Sequence, residues 1–269
     1  MNYLSRNKLY TAINIIGFSV SLMFVILLGC YSLQEFSADR YHTNKDRIYR
    51  LTQHGWSNFP APMGRDLQQR YPEIEEYTRF FGFKIPYREQ ERGGEARIML
   101  VDPAFFRMFT TQTLRGNPEQ VLGRPDGLVL SESFAKRLFG QDDPIGKAIE
   151  LYDSTYVVEA VIGDFPKSHF QTPDIIGSFE GWRKQYGGED VLTSYEYETF
   201  GLYLMGREGS DLRTLSGDLL EYFKSTYKPY ILEINKRVDF EPLTDVYYGI
   251  TKNFSICQSG SRLLVSVLS

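Results

Sequence analysis

No charged side chain interrupts the chain between Lys8 and Glu35, and Ile13 to Leu33 is almost wholly apolar. About 20 such residues in a helix cross a hydrocarbon core about 30 Å thick, so this run predicts a transmembrane helix. Tyr10 and Tyr31 flank it at a distance of about 31 Å along a helix of about 1.5 Å rise per residue, which suits two rings at opposite membrane interfaces. Beyond Cys30, Leu33, Phe36 and Tyr41 are spaced for one helical face, and neither Gly nor Pro occurs until Gly55. The expectation is a helix that leaves the membrane as a stiff stalk.

The pattern then changes to alternating short strands and helices. Arg47 to Gln53 reads as a strand, Pro60 to Arg70 as a short helix ended by Pro72, and "ARIMLVDPAFFRMF" as a strand, a turn at Asp102 and Pro103, and an aromatic helical turn. In "GLVLSESFAKRLFG" a strand runs into a helix, with Ser131 as N-cap, Phe134 and Leu138 on one face, and Gly140 closing the end. "TYVVEAVIGDFP" is apolar on both faces apart from Glu159, which predicts an interior strand ended by Pro166. "TFGLYLMG" predicts another strand. Leu212, Leu215, Leu219, Phe223 and Tyr227 form the stripe of an amphipathic helix that Pro229 ends, and Arg237 to Pro242 is the last strand. After Ser259, Gly260 and Ser261 the chain turns apolar again in "LLVSVLS". That run fits either a C-terminal helix docked on the core or the start of a second membrane helix. The fold class is mixed α/β, following one N-terminal membrane helix.

Charge and chemistry narrow the function more by exclusion than by a motif. With 269 residues and a net charge of −4, the chain has material for a large outer domain but lacks the basic surface that neutralises nucleic-acid phosphates. Cys30 and Cys257, the two cysteines, provide neither a disulfide framework nor a CxxC metal site. "GQDDPIGKA" misses the P-loop pattern, with Ala148 in place of the hydroxyl that would reach magnesium, and reads as a tight turn at Asp143 and Pro144. His42, His54 and His169 fall in no metal-ligand spacing, and no G-x-S-x-G elbow occurs, so each histidine reads as structural or surface. The acidic pairs in "PEIEEY" and "GGED" read as solvated charges. No catalytic, cofactor-binding or metal-ligating residue is assigned.

Two features of the apolar run remain. Gly17 and Ser21 make a small-xxx-small pair that lets another helix approach closely. "LLGC" at 27 to 30 resembles a lipobox, which would make Cys30 a lipidated N-terminus, although the apolar run exceeds the length of a cleavable signal. Arg6 and Lys8 lie nearest the helix on its short side, which places the N-terminus inside and residues 34 onward outside.

Six longer stretches carry a resemblance: "NKLYTAINIIGFSVSL", "DRYHTNKDRIYRL", "VDPAFFRMFTTQTLRGNPEQVL", "GLVLSESFAKRLFGQDDPIGKAIEL", "VIGDFPKSHF" and "FEPLTDVYYG". In this order they are similar to the permease subunits of the bacterial MacB, LolC and FtsX class of ABC transporters, specifically the first membrane helix and the MacB-like periplasmic core domain. The resemblance implies a cytoplasmic N-terminus and membrane helix over 1–33, a periplasmic core domain over 34–258, and the start of a truncated second membrane helix over 259–269. Within the core domain it implies a porter-like lobe over about 46–115 and 195–258, split by an inserted lobe over about 116–194. It also implies an inner-membrane protein that is not itself an enzyme. ATP is then bound by a separate cytosolic ATPase, whose hydrolysis is coupled to substrate export or release by mechanotransmission. Expected partners are that ATPase, the other permease half or a second copy, a periplasmic or outer-membrane protein, and membrane lipids. The competing expectation is a tethered lipoprotein or single-pass ligand-binding module.

Overall fold

A computed structural model describes residues 8–53, 55–90, 92–183, 189–226, 237–249, 257 and 259–260. Helix α1 (Lys8–Phe36) is long and apolar enough to cross a membrane, and its apolar window is buried by none of the other described residues. It stops at Phe36 instead of continuing as a stalk through Tyr41. The Ser37 hydroxyl turns back onto the Gln34 carbonyl (2.7 Å), and Asp39 takes a left-handed backbone conformation (φ 59°), which a right-handed helix cannot contain. From there a compact series of turns leads to Asp46.

The outer domain is built on one eleven-stranded mixed sheet with helices packed along it. Its strands are β1 (Ile48–Gln53), β2 (Asn58–Phe59), β3 (Ile74–Glu89), β4 (Arg92–Val101), β5 (Thr113–Arg115), β6 (Gly127–Ser131), β7 (Ala148–Leu151), β8 (Ser154–Ile162), β9 (Ile175–Ser178), β10 (Phe200–Gly206) and β11 (Val238–Pro242). The order is β11-β1-β10-β3-β4-β9-β6-β8-β5, with β2 on β10 and with β7 joining β8 to the far end of β3. That last link closes a ring, β3-β4-β9-β6-β8-β7, around a core that includes Ile85, Leu100, Leu130, Phe134, Val158 and Trp182. A second core, including Tyr49, Leu67, Leu202, Leu219 and Phe240, lies under α2 (Met63–Arg70) and the later helix α8 (Ser216–Thr226). The third, with Phe80, Phe105, Phe109, Phe170 and Tyr203, lies beside the end of α1.

The predicted elements form where local sequence signals are strong. Strand β6 feeds α5 (Glu132–Phe139), where the Ser131 hydroxyl accepts from the Phe134 amide at 3.4 Å and Gly140 closes the helix at φ 65°. Strand β8 lies between β6 and β5, as its two apolar faces require. "GQDDPIGKA" is a turn: the Asp143 carboxylate accepts from the Ile145 amide at 3.1 Å, and Gly146 (φ 80°) donates to Val158. The stripe from Leu212 begins as a 3-10 turn (Leu212–Leu215) before α8, while Tyr227 and Pro229 lie outside the described residues. Strand β3, 16 residues long, has no counterpart in the sequence reading. Its charged residues and Pro86 mask it, yet β4 pairs along most of its length while β10 and then β7 take its other edge. Pro86 falls between those two partners, on the stretch of that edge that neither pairs.

Gly201 in β10 lies directly beneath the Phe80 ring, and a Cβ there would overlap that ring. Gly201→Ala is expected to destabilise the domain by about 1–3 kcal/mol through overpacking. Thermal or denaturant unfolding of the variant checks this, and an unchanged midpoint would contradict the packing described.

Candidate functional site

The helix exit and the outer domain meet through buried polar side chains rather than through a linker. Glu35, in the last turn of α1, accepts from Lys167 Nζ at 2.7 Å and from the Tyr247 hydroxyl at 2.9 Å. The Lys167 ammonium also lies 5.3 Å from the centre of the Tyr247 ring, an additional cation–π attraction. The hydrogen bond to Glu35 is the chief reason its amine is held above the ordinary lysine range. Four residues later comes Asp39, which is fully buried. Its amide donates to the Lys167 carbonyl (3.1 Å), and its carboxylate accepts from the Ser168 hydroxyl (2.6 Å) and the His169 amide (3.0 Å). The left-handed backbone at Asp39 is what turns this side chain into the domain, and Asp is among the few residues that tolerate it.

Two histidines converge on the same carboxylate. His169 Nδ1 lies 2.9 Å from Asp39 Oδ1, and its Nε2 is 2.7 Å from the hydroxyl of Tyr203 on β10. His42 Nε2 lies 3.8 Å from Asp39 Oδ1, while its Nδ1 accepts from the Thr110 amide at 3.0 Å. Thr43 and Asn44 extend that seam, Thr43 donating to the Thr110 hydroxyl and Asn44 to the carbonyls of Arg107 and Met108 on α3 (Phe105–Met108). Burial pushes the Asp39 carboxyl up, but the adjacent His169 ring and the hydrogen bonds outweigh it and hold the group well below the usual carboxylate range. His42 moves the other way from a charged group, because burial disfavours its imidazolium more than Asp39 favours it.

The line Asp39–His169–Tyr203 has the order of an acid–base relay, yet all three residues are fully buried. No substrate reaches its nitrogens or oxygens in this conformation. What the arrangement supplies is a joint of fixed geometry, since each donor and acceptor is oriented by a partner on a different segment.

Gly17 and Ser21 lie on α1 with their common face open, and the Ser21 hydroxyl is satisfied by the Gly17 carbonyl at 2.9 Å. Cys30 is a free, exposed thiol inside the same helix. Neither position touches the joint. Among the described residues no group of three or more His, Cys, Asp or Glu side chains could hold a metal ion. His54 and the apolar run from Leu263 lie outside the described residues, as does the Gly-Gly of "GGED". Two of the three acidic residues of "PEIEEY" are used in ion pairs, Glu75 with Arg47 and Glu76 with Arg107. A cavity of about 180 Å³ between α2 and β3 is bordered by Arg79, whose charge Asp102 already neutralises at 2.6 Å.

Sequence reading gave His42 and His169 a structural or surface role without bringing them together, and it missed Asp39, Glu35, Lys167 and Tyr203. Ser168 is 129 residues from Asp39, beyond any periodicity signal. A clue was present all the same. Four of the stretches that carry the family resemblance, those containing Asp39 and His42, Thr110, Lys167 to Phe170, and Tyr247, meet at this joint.

Removing the carboxylate in Asp39→Ala leaves its buried donors without an acceptor and is expected to destabilise the domain by about 3–5 kcal/mol. The sign with pH comes from its depressed value: the stabilisation is present at neutral pH and is lost as pH falls through and below the ordinary carboxylate range. Urea unfolding of wild type and variant checks both statements, and the two stabilities should approach one another in strong acid.

The search of curated protein sequences gives no match. Among solved structures, a domain assigned to a permease protein from Porphyromonas gingivalis aligns with a TM-score of 0.64 at 19% identity, covering 85% of this chain and 99% of that one. The periplasmic region of MacB from Actinobacillus actinomycetemcomitans aligns with a TM-score of 0.56 at 13% identity, covering 76% of this chain and 90% of that one. The extracellular domain of the noncanonic ABC-type transporter YknZ from Gram-positive bacteria aligns with a TM-score of 0.51 at 9% identity, covering 72% and 98%. At these identities the likeness is one of fold. The sequence profile of the MacB-like periplasmic core domain matches residues 11–222, most of the chain including α1, and the protein therefore belongs to that family.

Proposed function

We propose that this chain is the first membrane helix and outer domain of an ABC-transporter permease subunit in the inner membrane, with the domain in the periplasm. In this reading a separate cytosolic ATPase binds and hydrolyses ATP, and the outer domain converts the resulting helix movement into export or release of a substrate. The family membership supports the permease role. One observation carries the coupling: α1 ends in a buried joint rather than a flexible linker. A displacement of Glu35 and Asp39 passes through Lys167, Ser168 and His169 to Tyr203 in the middle of the sheet. A flexible segment would absorb that displacement, whereas satisfied, buried bonds resist it.

The lobe boundaries at about 46–115 and 195–258, with an inserted lobe at about 116–194, belong to the same proposal. The core around Tyr49, Leu67, Leu202 and Phe240 draws its residues from the first pair of ranges, while the strand ring combines β3 and β4 with β6 to β9. The domain's two ends also lie together. The Gly260 amide donates to the Tyr247 carbonyl at 2.8 Å, and Tyr247 is the residue whose hydroxyl reaches Glu35. The described end of the domain, residues 259 and 260, thus lies near the exit of α1, and the open Gly17 and Ser21 face of that helix is available to another helix of the permease or to a second copy.

Affinity capture of the tagged chain from its own membranes is expected to recover an ABC ATPase, and the intact mass should show Cys30 without lipid. In the reconstituted complex, nucleotide should move spin labels on the outer domain relative to the membrane. Asp39→Ala should reduce that movement by about half or more, since it removes the central acceptor of the joint. A diacylglyceryl-modified Cys30 at a processed N-terminus, or an outer domain unresponsive to nucleotide, would overturn the reading.

A further inference from the structure

The proton on the His42 ring is placed by its neighbours. His42 Nδ1 is occupied by the Thr110 amide at 3.0 Å, so the neutral ring carries its proton on Nε2, which points toward Asp39 Oδ1 at 3.8 Å and makes no hydrogen bond among the described residues. A second proton has one place to go, Nδ1, and there it would face the Thr110 N–H. The imidazolium cannot keep that bond. Its other N–H would instead be drawn to Asp39, whose Oδ1 already has Ser168 Oγ at 2.6 Å and His169 Nδ1 at 2.9 Å.

We propose that His42 is a pH-sensitive latch on the joint, closed while Nδ1 accepts from Thr110 and opened when that nitrogen is protonated. Opening separates the turn at 37–46 from Phe109 and Thr110, because the ring of His42 also packs edge-on against Phe109 at 5.2 Å. The neighbouring bonds from Thr43 and Asn44 to Thr110, Arg107 and Met108 lie on the same seam and share the strain. The membrane helix would then remain held by Glu35 while the second fastening point loosens. Periplasmic pH tracks the surroundings more closely than cytosolic pH does, so a latch on this side of the membrane would report external acid. That use rests on the transport reading above; the latch itself does not.

The titratable and charged groups around His42 set the sign. Its own turn contributes Asp39 and Tyr41, the latter's ring tilted against it at 4.0 Å and its hydroxyl held protonated by burial. The facing connection contributes Lys167, paired to Glu35, and His169, while β10 contributes Tyr203. Arg107 on α3 is turned outward to Glu76 and Glu119. Behind Tyr203 lie the Arg50–Glu241 pair and Cys257, whose thiol burial pushes up to about 12. Among the described residues Asp39 is thus the one carboxylate aimed at His42, and burial outweighs its pull, so the folded joint takes up the proton less readily than a free histidine. Stability from the neutral ring is full above the ordinary histidine value of 6.5 and declines as pH falls below it. Free carboxylic acids titrate mainly near pH 4, so the first part of the decline belongs to imidazole.

Hydrogen exchange of the full chain in nanodiscs, without any ATPase, tests the latch independently of transport. After correction for the intrinsic pH dependence of exchange, peptides covering 37–46 and 105–111 should lose protection by about tenfold between about pH 7.5 and pH 5. His42→Asn places an oxygen where Nδ1 stands and cannot be protonated, so it should keep its neutral-pH protection throughout that window. Unchanged protection in wild type, or the same loss in His42→Asn, would overturn the proposal. Should that variant fold poorly, nitrogen-15 NMR of the wild-type His42 ring decides instead. The proposal requires the Nε2–H neutral form at neutral pH, changing to imidazolium in step with exchange at Thr110, and a ring protonated on Nδ1 at neutral pH would refute it.

Discussion

A carboxylate removed from water must be met by donors, and Asp39 accepts from the Ser168 hydroxyl and the His169 amide, with the His169 ring 2.9 Å and the His42 ring 3.8 Å away. This requirement fixes how the membrane helix enters the outer domain. Because Ser168 and His169 donate to it and Lys167 accepts from its amide, the 163–174 connection must lie against the helix exit. Through the His169–Tyr203 contact at 2.7 Å, that connection is tied to β10, which lies between β1 and β3 in the sheet. The aromatic core of Phe80, Phe105, Phe109 and Phe170 packs around this line and excludes water from it.

A joint of this kind differs from an apolar contact of equal size. Apolar surfaces slide past one another at small energetic expense until packing is lost, whereas a buried polar network has one arrangement in which its bonds are made. Stiffness on the outer side has the same origin at a larger scale. The sheet is continuous from β11 to β5, and β7 closes part of it into a ring, so a force applied at Tyr203 meets hydrogen-bonded ladders in both directions.

Much of the architecture was legible because it rests on neighbours in sequence. The apolar run of α1, the Ser131 cap, the Gly140 stop and the Asp143 turn each depend on residues within a few positions, and each forms as its local chemistry dictates. Strand β3 was not legible, because "IEEYTRFFGFKIPYRE" carries charge and proline that local propensity counts against a strand. It is held extended by β4, β10 and β7 together. The stalk was misread for the complementary reason. The residues after Phe36 have acceptable helical spacing, but Asp39 gains more from buried donors far along the chain than from another helical turn.

The sequence by itself determined that a helix of membrane-spanning length precedes a mixed α/β domain, and its longer stretches identified the family, because composition, periodicity and capping are properties of contiguous residues. Tertiary structure alone decided that Glu35, Asp39 and His42 close on Lys167, His169, Thr110 and Tyr203. Those partners lie far apart in the chain and carry no pattern that links them. Their significance comes from being brought together and dried, since only a buried carboxylate or imidazole binds its neighbours strongly enough to turn a change of connection into a rigid joint.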